Sequence, residues 1–337
     1  MANRVRKASH AGSWYTANRQ QLSNQLDGWL AQVPDDIECI GPQHQGTGIE
    51  IPPTGARAII APHAGYAYSG PAAAWAYKSL DLSNAKRIFL LGPSHHFYLS
   101  GCALSTCTQY ETPLGNLRLD LETISELRQN GEFEDMTLND DEEEHSLEMH
   151  LPYIYKMLSK SFSDPASFPT LIPILVGSTQ LPTETEFGAL LAPYLADPSS
   201  IFIISSDFAH WGTRFQYTYY RQTPNSDFFV NLGGRSRLTP NVRRIHESIK
   251  EVDFECMGAV ERGNRTDFWE VLERTRNTVC GRHPIGVYMA AVEALRGKGL
   301  EDGDGRMRFV RYERSELVEQ LSDSSVSYAS GFAVFKS

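Results

Sequence analysis

Cysteine is scarce in this chain: five residues, an odd number, with no two in C-x-x-C spacing. That argues against a disulfide framework and a structural zinc finger, and fits a reducing compartment, cytoplasmic or nuclear. Long apolar runs are missing too. None approaches the roughly 20 residues of a membrane span, so no membrane insertion is expected. The basic residues Arg4, Arg6 and Lys7 have no apolar stretch behind them, and no signal peptide is expected. Positive charge is in deficit: 31 Lys and Arg stand against 41 Asp and Glu, for a net charge of −10 and a pI near 5.5. A nucleic-acid backbone is therefore not the expected partner. There is no internal repeat of solenoid period and no low-complexity tract.

What is present is an ordinary globular balance, 41% hydrophobic and 21% charged over 337 residues. Four short apolar runs read as buried strands: Ala58 to Ala61, Arg87 to Leu91, Thr170 to Gly177 and Ser200 to Ile204. Pro173 suggests a bulge or an edge position for the third. An alternating run, Ser325 to Phe335, reads as a fifth strand. Helical periodicity marks Asn18 to Val33, with Leu22, Leu26, Trp29, Leu30 and Val33 on one face and a capping box from Asn18 and Gln21. Further helices are expected over Gly70 to Tyr77 with Pro71 in the first turn, Leu121 to Asn130, a segment capped by Thr183 and Glu186, Thr266 to Asn277, and Ile285 to Leu295. Residues 34–56 and 221–241 have loop composition. Strands alternating with helices predict an α/β domain with a mostly parallel sheet.

Three of the strands run into histidine. Pro62 ends the first, and His63 follows with Gly65 to turn the chain; Gly92-Pro-Ser-His-His96 ends the second; Ser205-Ser-Asp-Phe-Ala-His-Trp211 ends the fourth. Ligands bind beyond the carboxyl ends of such strands. If these strands are neighbours, His63, His95 (or His96) and His210 converge on one crevice together with Asp207. Cys280 lies just before a helix start, where the helix dipole favours a thiolate, and could complete the set. Two imidazoles and one anionic side chain form the facial arrangement of a mononuclear transition-metal site, and a further histidine beside the ion can serve as acid or base. Sulfur favours copper(I) or zinc, whereas an oxygen-activating iron usually has a carboxylate. His145, Glu148 and His150 are spaced three and two apart, which cannot place all three on one helical face. His145 reads as either a ligand or a supporting residue. Asn139 to Glu144 reads as a solvated acidic surface, Ala8 to Tyr15 as a packing segment, with His10 lining a site as the alternative, and the other four cysteines as buried or bystander thiols.

Six blocks, Ala8-Ser-His-Ala-Gly-Ser-Trp-Tyr15, Ala61-Pro-His-Ala-Gly-Tyr66, Gly92-Pro-Ser-His-His96, Glu144-His-Ser-Leu-Glu-Met-His-Leu-Pro152, Ser205-Ser-Asp-Phe-Ala-His-Trp211 and Cys280-Gly-Arg-His-Pro-Ile-Gly286, resemble the motifs of the Memo proteins. These are named as mediators of ErbB2-driven cell motility in animals, with relatives in fungi, archaea and bacteria. The resemblance implies one domain over residues 1–337, similar in fold to the class III extradiol dioxygenases: a central, mostly parallel mixed sheet flanked by helices. It also implies metal ligation by His63, His95 and Cys280, the cysteine standing where the dioxygenases carry glutamate. His210 takes the acid/base position with Asp207 beside it, and His145 is a further candidate for the catalytic set. Copper or iron is the implied ion, redox behaviour and signalling the implied role, and a signalling-protein peptide a candidate partner. Residues 35–55 and 221–241 look longer than in the usual family member. Two further readings stay open: a dioxygenase or hydrolase with Asp207 as a carboxylate ligand, and a non-enzymatic adaptor that receives a peptide in the pocket.

Overall fold

In a computed structural model, the chain is described at all residues except 1–3, 130, 132, 235, 237–242, 302–303 and 337. Nine strands form the central sheet among the described residues: β1 (Ala56–Ala61), β2 (Arg87–Pro93), β3 (Cys102–Leu104), β4 (Phe133–Asp135), β5 (Thr170–Val176), β6 (Ser200–Ser205), β7 (His210–Trp211), β8 (Met307–Arg314) and β9 (Ser325–Val334). Their order is β7-β9-β1-β6-β2-β5-β3-β4, with β8 paired to β9. The inner four, β1, β6, β2 and β5, are mutually parallel. Every residue of β1 and β6 is buried, as expected where helices cover both faces of a sheet.

The strands that end in histidine are therefore neighbours. β6 lies between β1 and β2, with Ser205 opposite Ala61 and Ile204 opposite Leu91. Their carboxyl ends finish level with one another, and the three following turns meet at one edge of the sheet.

Helices α1 (Arg19–Gln32), α2 (Tyr66–Lys78), α3 (His145–Glu148), α4 (Leu151–Ser161), α5 (Leu181–Ala196), α6 (Ile245–Arg262), α7 (Arg265–Thr275) and α8 (Arg282–Arg296) account for most of the covering layers. Asn18 caps α1 by accepting from the Gln21 N–H at 3.0 Å, but Gln21 does not return the bond; its side chain accepts from Thr16 instead.

Several expectations are corrected. Helix α2 starts at Tyr66, so Pro71 lies inside it and not in its first turn. Thr183 and Glu186 do not cap α5; Gln180 is its N-cap, and Pro182 supplies the preset φ of its first turn. Pro173 is on an inner strand and causes no register shift against β2. It is tolerated because β3 begins to pair one residue later, at Ile174. The stretch 34–56 is not wholly loop. Asp36–Glu38 and Gly48–Glu50 pair antiparallel around Ile37 and Ile49, three-residue strands too short to show a period. In 221–241, Val230–Asn231 pairs with Tyr219–Tyr220, while 235 and 237–241 lie outside the described residues, as does Asn130 of the expected third helix.

Close helix packing sets the position of α8. A Cβ at Gly188 of α5 would fall 2.5 Å from the Ala290 Cβ and 2.7 Å from backbone of α8. Gly188→Ala is expected to lower unfolding stability by about 1–3 kcal/mol, the usual cost of overpacking. Urea denaturation with an unchanged midpoint would show that α5 and α8 are not in this contact.

Candidate metal centre

The turn after β1 is built around His63. Pro62 ends the strand, and Asp207, from the turn after β6, accepts the His63 N–H at 2.9 Å. The His63 ring is buried, and its Nδ1 lies 2.6 Å from Ser205 Oγ. Ser205 has one hydroxyl proton and gives it to the Ser146 carbonyl at 2.8 Å. Nδ1 of His63 must then be the donor, which leaves Nε2 as a bare lone pair. That Nε2 is 3.1 Å from Cys280 Sγ.

His95 is prepared in the same way by different atoms. Its backbone N–H donates to Glu144 Oε2 at 2.7 Å and its Nδ1 to Glu144 Oε1 at 2.9 Å. A carboxylate only accepts, so Nδ1 carries the proton and Nε2 is again free. Glu144 Oε1 also caps α3 by accepting the Ser146 N–H at 2.8 Å. Gly92 allows this approach, because a Cβ there would lie 2.6 Å from Ser146 Oγ.

Cys280 reaches the cluster because Gly281 lets the chain run against the end of β6; a Cβ at 281 would meet Ser206 Cβ at 2.3 Å. Its sulfur accepts the Asp207 N–H at 3.2 Å. The ligand atoms of His63, His95 and Cys280 all lie within 4.8 Å of one another. This is the set expected from the sequence resemblance, and the geometry chooses His95 over His96. A second group, His95, Glu144 and His145, meets the same distance criterion. It fits an ion poorly, because Glu144 already spends both oxygens on His95 and α3.

The electrostatics differ from expectation at the sulfur. Burial, reinforced by Asp207, pushes the Cys280 thiol well up, so the dipole of α8 does not yield a free thiolate. Burial and the neighbouring His95 and His145 hold His63 far below the usual imidazole range. Burial also takes His145 down to about 3 and raises Asp207 to about 7. Burial thus disfavours the charged forms of both the His63 ring and the Cys280 sulfur in the bare protein. A cation supplies the charge that deprotonates such a thiol.

The remaining site residues fall into place around this set. His210 Nδ1 lies 2.9 Å from the Phe208 carbonyl and 3.2 Å from that of Thr278. Carbonyls only accept, so its basic nitrogen is Nε2. Asp207 acts through the backbone of His63 and Ala64 and is not among the clustered ligand atoms. His145 stacks on His95 at 4.4 Å and packs against Trp14 at 4.4 Å with the rings tilted by 34°. His150 is buried with Nδ1 2.8 Å from the Tyr77 hydroxyl, outside the ligand group.

The acidic run is where sequence reasoning failed. Asp141 and Glu144 are 1% exposed, not solvated. Arg6, itself 0% exposed, pairs with Asp141 at 3.0 Å and Glu148 at 2.7 Å and donates to the Glu144 carbonyl at 2.9 Å. Glu148 in turn accepts from His10 N and Nδ1, both at 2.9 Å, and from the Tyr15 hydroxyl at 2.8 Å. The signal available was adjacency: a glutamate directly before His145, in a chain whose candidate imidazole ligands need a carboxylate behind them. The other four cysteines are buried, and burial raises the pKa of each.

Burial opposes ionisation of Glu148, but hydrogen bonds from His10, Arg6 and Tyr15 outweigh it and bring its pKa from 4.5 to about 2. A carboxylate depressed on folding stabilises the fold above its unfolded pKa, and that stability is lost as pH falls from about 4.5 to about 2. Glu148→Gln should cost about 3–5 kcal/mol at neutral pH by leaving Arg6 under-compensated, and should flatten the acid limb. Denaturant unfolding at a series of pH values measures both; parallel profiles for the two proteins would refute the assignment.

Residues 6–332 match the family described as Memo-like protein. Protein MEMO1 of Danio rerio is 45% identical over 98% of each chain, and Protein MEMO1 of Homo sapiens gives the same values. The memo-1 homolog of Caenorhabditis elegans is 41% identical over 97% of this chain and 82% of its own. An uncharacterized protein of Escherichia coli K12 aligns with 81% of this chain and 99% of its own at 11% identity and a TM-score of 0.39, too slight a likeness to inform the fold. With a match that spans His63, His95 and Cys280 and nearly the whole length of these relatives, this chain belongs to the Memo family.

Proposed function

We propose that this protein is a metal-binding redox protein of the Memo family, in which His63, His95 and Cys280 hold a copper or iron ion. The observation that carries the reading is the locking of both imidazoles by their Nδ1 protons. Ser205 fixes one and Glu144 the other; the bare Nε2 of His63 lies 3.1 Å from the Cys280 thiol, and His95 belongs to the same group of ligand atoms. Metal-ligating histidines have this outer support as a rule, and a hydrogen-bonded side chain of no further use does not need it twice.

The bound ion would supply one-electron chemistry, and a thiolate with two imidazoles suits copper(I) or iron(II) better than magnesium or calcium. The protein's own residues do the rest. Glu144 and Ser205 orient the ligands. Asp207 ties the His63 turn to the Cys280 sulfur through its N–H. His210 offers Nε2 as a proton acceptor beside the cluster, and His145 with Trp14 walls the site. The carboxylate-ligand alternative is less well supported, because Asp207 is already engaged by the His63 and Ala64 N–H groups.

A role in cell signalling, motility or morphogenesis, in the cytoplasm or the nucleus, is the matching cellular reading. No described helix is long and apolar enough to cross a membrane. Adaptor binding of a signalling-protein peptide is compatible with metal binding. It is favoured by exposed aromatics near the ligand turns: Trp14, Tyr68 and Tyr98 are 37%, 59% and 83% exposed.

The test is quantification of bound metal after anaerobic reconstitution with copper or iron. Wild type should bind one equivalent and Cys280→Ala far less. Glu144→Gln should bind about 10–100-fold more weakly. Equal, negligible copper and iron in wild type and Cys280→Ala would sink the proposal.

A further inference from the structure

The Cys280-Gly-Arg-His motif gives its sulfur to the cluster, yet nothing there uses Arg282. Its guanidinium lies over the indole of Trp269, 4.7 Å from the ring centroid, and its Nε has no hydrogen-bond partner. Two carboxylates act on it electrostatically, Glu273 and Glu184, and both are engaged elsewhere. Glu273 pairs with Arg276 at 3.3 Å. Glu184, fully buried, receives Trp269 Nε1 at 3.1 Å and Arg265 at 3.5 Å. Among the described residues no carboxylate is within ion-pair distance of Arg282. A partly buried cation without a counter-charge is unfavourable unless something compensates it.

Arg282 borders a cavity of about 390 Å³, whose wall also includes Ser94, Ser178, Thr278, Cys280 and His283. None of His63, His95, His145 or His210 lines it. The cavity thus flanks Cys280 without being the metal cluster. Its size is at the lower end of small-molecule sites, roughly 300–1,000 Å³, and favours a small ligand over a peptide.

We propose that this cavity binds a small oxyanion, a carboxylate or a phosphate, through the guanidinium of Arg282. The planar fork of arginine matches either group with two parallel N–H donors, and stacking on Trp269 fixes its plane in advance. The proposal stands apart from the metal reading, since its walls and its charge are present in the metal-free chain.

The experiment is calorimetric titration of the metal-free full chain with inorganic phosphate and, separately, with malonate. Saturable one-to-one binding of at least one probe is expected, and the probe that binds tells phosphate from carboxylate. Arg282→Gln, with an unchanged melting temperature, should bind at least about tenfold more weakly. Glu273→Gln removes a negative charge from the cavity wall and should bind more tightly, which keeps the idea testable should Arg282→Gln not fold. No saturable binding of either probe at millimolar concentration, full retention by Arg282→Gln, or weaker binding by Glu273→Gln would each overturn it.

Discussion

The buried guanidinium of Arg6 is the constraint from which the site is built. It sits at 0% exposure and donates to the Asp141 and Glu144 carbonyls as well as to the Asp141 and Glu148 carboxylates. One cation thereby fixes the chain from Asp141 to Glu148, which holds no long helix of its own. Two glutamates four residues apart, Glu144 and Glu148, emerge from that segment in set positions. Each grips a histidine by both its backbone N–H and its Nδ1: Glu144 takes His95 and Glu148 takes His10. The strand ends supply level turns, but the orientation of the His95 and His10 rings is decided by these carboxylates, as Ser205 decides that of His63.

The alternation of strand and helix was legible because buried parallel strands leave contiguous apolar runs, and four such runs fall on the inner sheet. The histidines were legible because each follows its run directly, so topology alone brings His63, His95 and His210 to one edge. Cys280 was placed by its position before a helix, although its ionisation was not. A local argument sees the dipole of α8, whereas burial and Asp207 are tertiary facts and outweigh it. The Arg6 network was hidden for a related reason. Five acidic residues in a row have the composition of a solvated surface, and only a cation more than a hundred positions away turns two of them inward.

Edges and caps were the weakest part of the reading, and again the missing information is tertiary. Pro71 inside α2 lacks an N–H, and the sequence alone places such a residue in a first turn. The helix nevertheless begins five residues earlier, because the Tyr66 N–H finds the Trp14 carbonyl at 3.0 Å. That contact joins the first motif block to the second. The short antiparallel pair Asp36–Glu38 and Gly48–Glu50 likewise owes its existence to packing of Ile37, 4% exposed, and not to any period a three-residue strand could display.

The charge of the donor set bears on which ion the proposed centre would favour. As ligands His63 and His95 would be neutral, and Cys280 would be the one member able to carry a negative charge. Asp207, the nearest other carboxylate to that sulfur, is committed to backbone N–H groups and is itself raised to about 7 by burial. A monovalent ion with one thiolate and two imidazoles gives a neutral assembly, which a desolvated crevice tolerates best; a divalent ion leaves one uncompensated positive charge. Replacing the cysteine by a carboxylate would keep the charge but exchange a soft donor for a hard one. In the proposed centre a preference for copper(I) over iron(II) would rest on the sulfur atom, and acceptance of either ion would rest on the carboxylate and hydroxyl that hold the two rings.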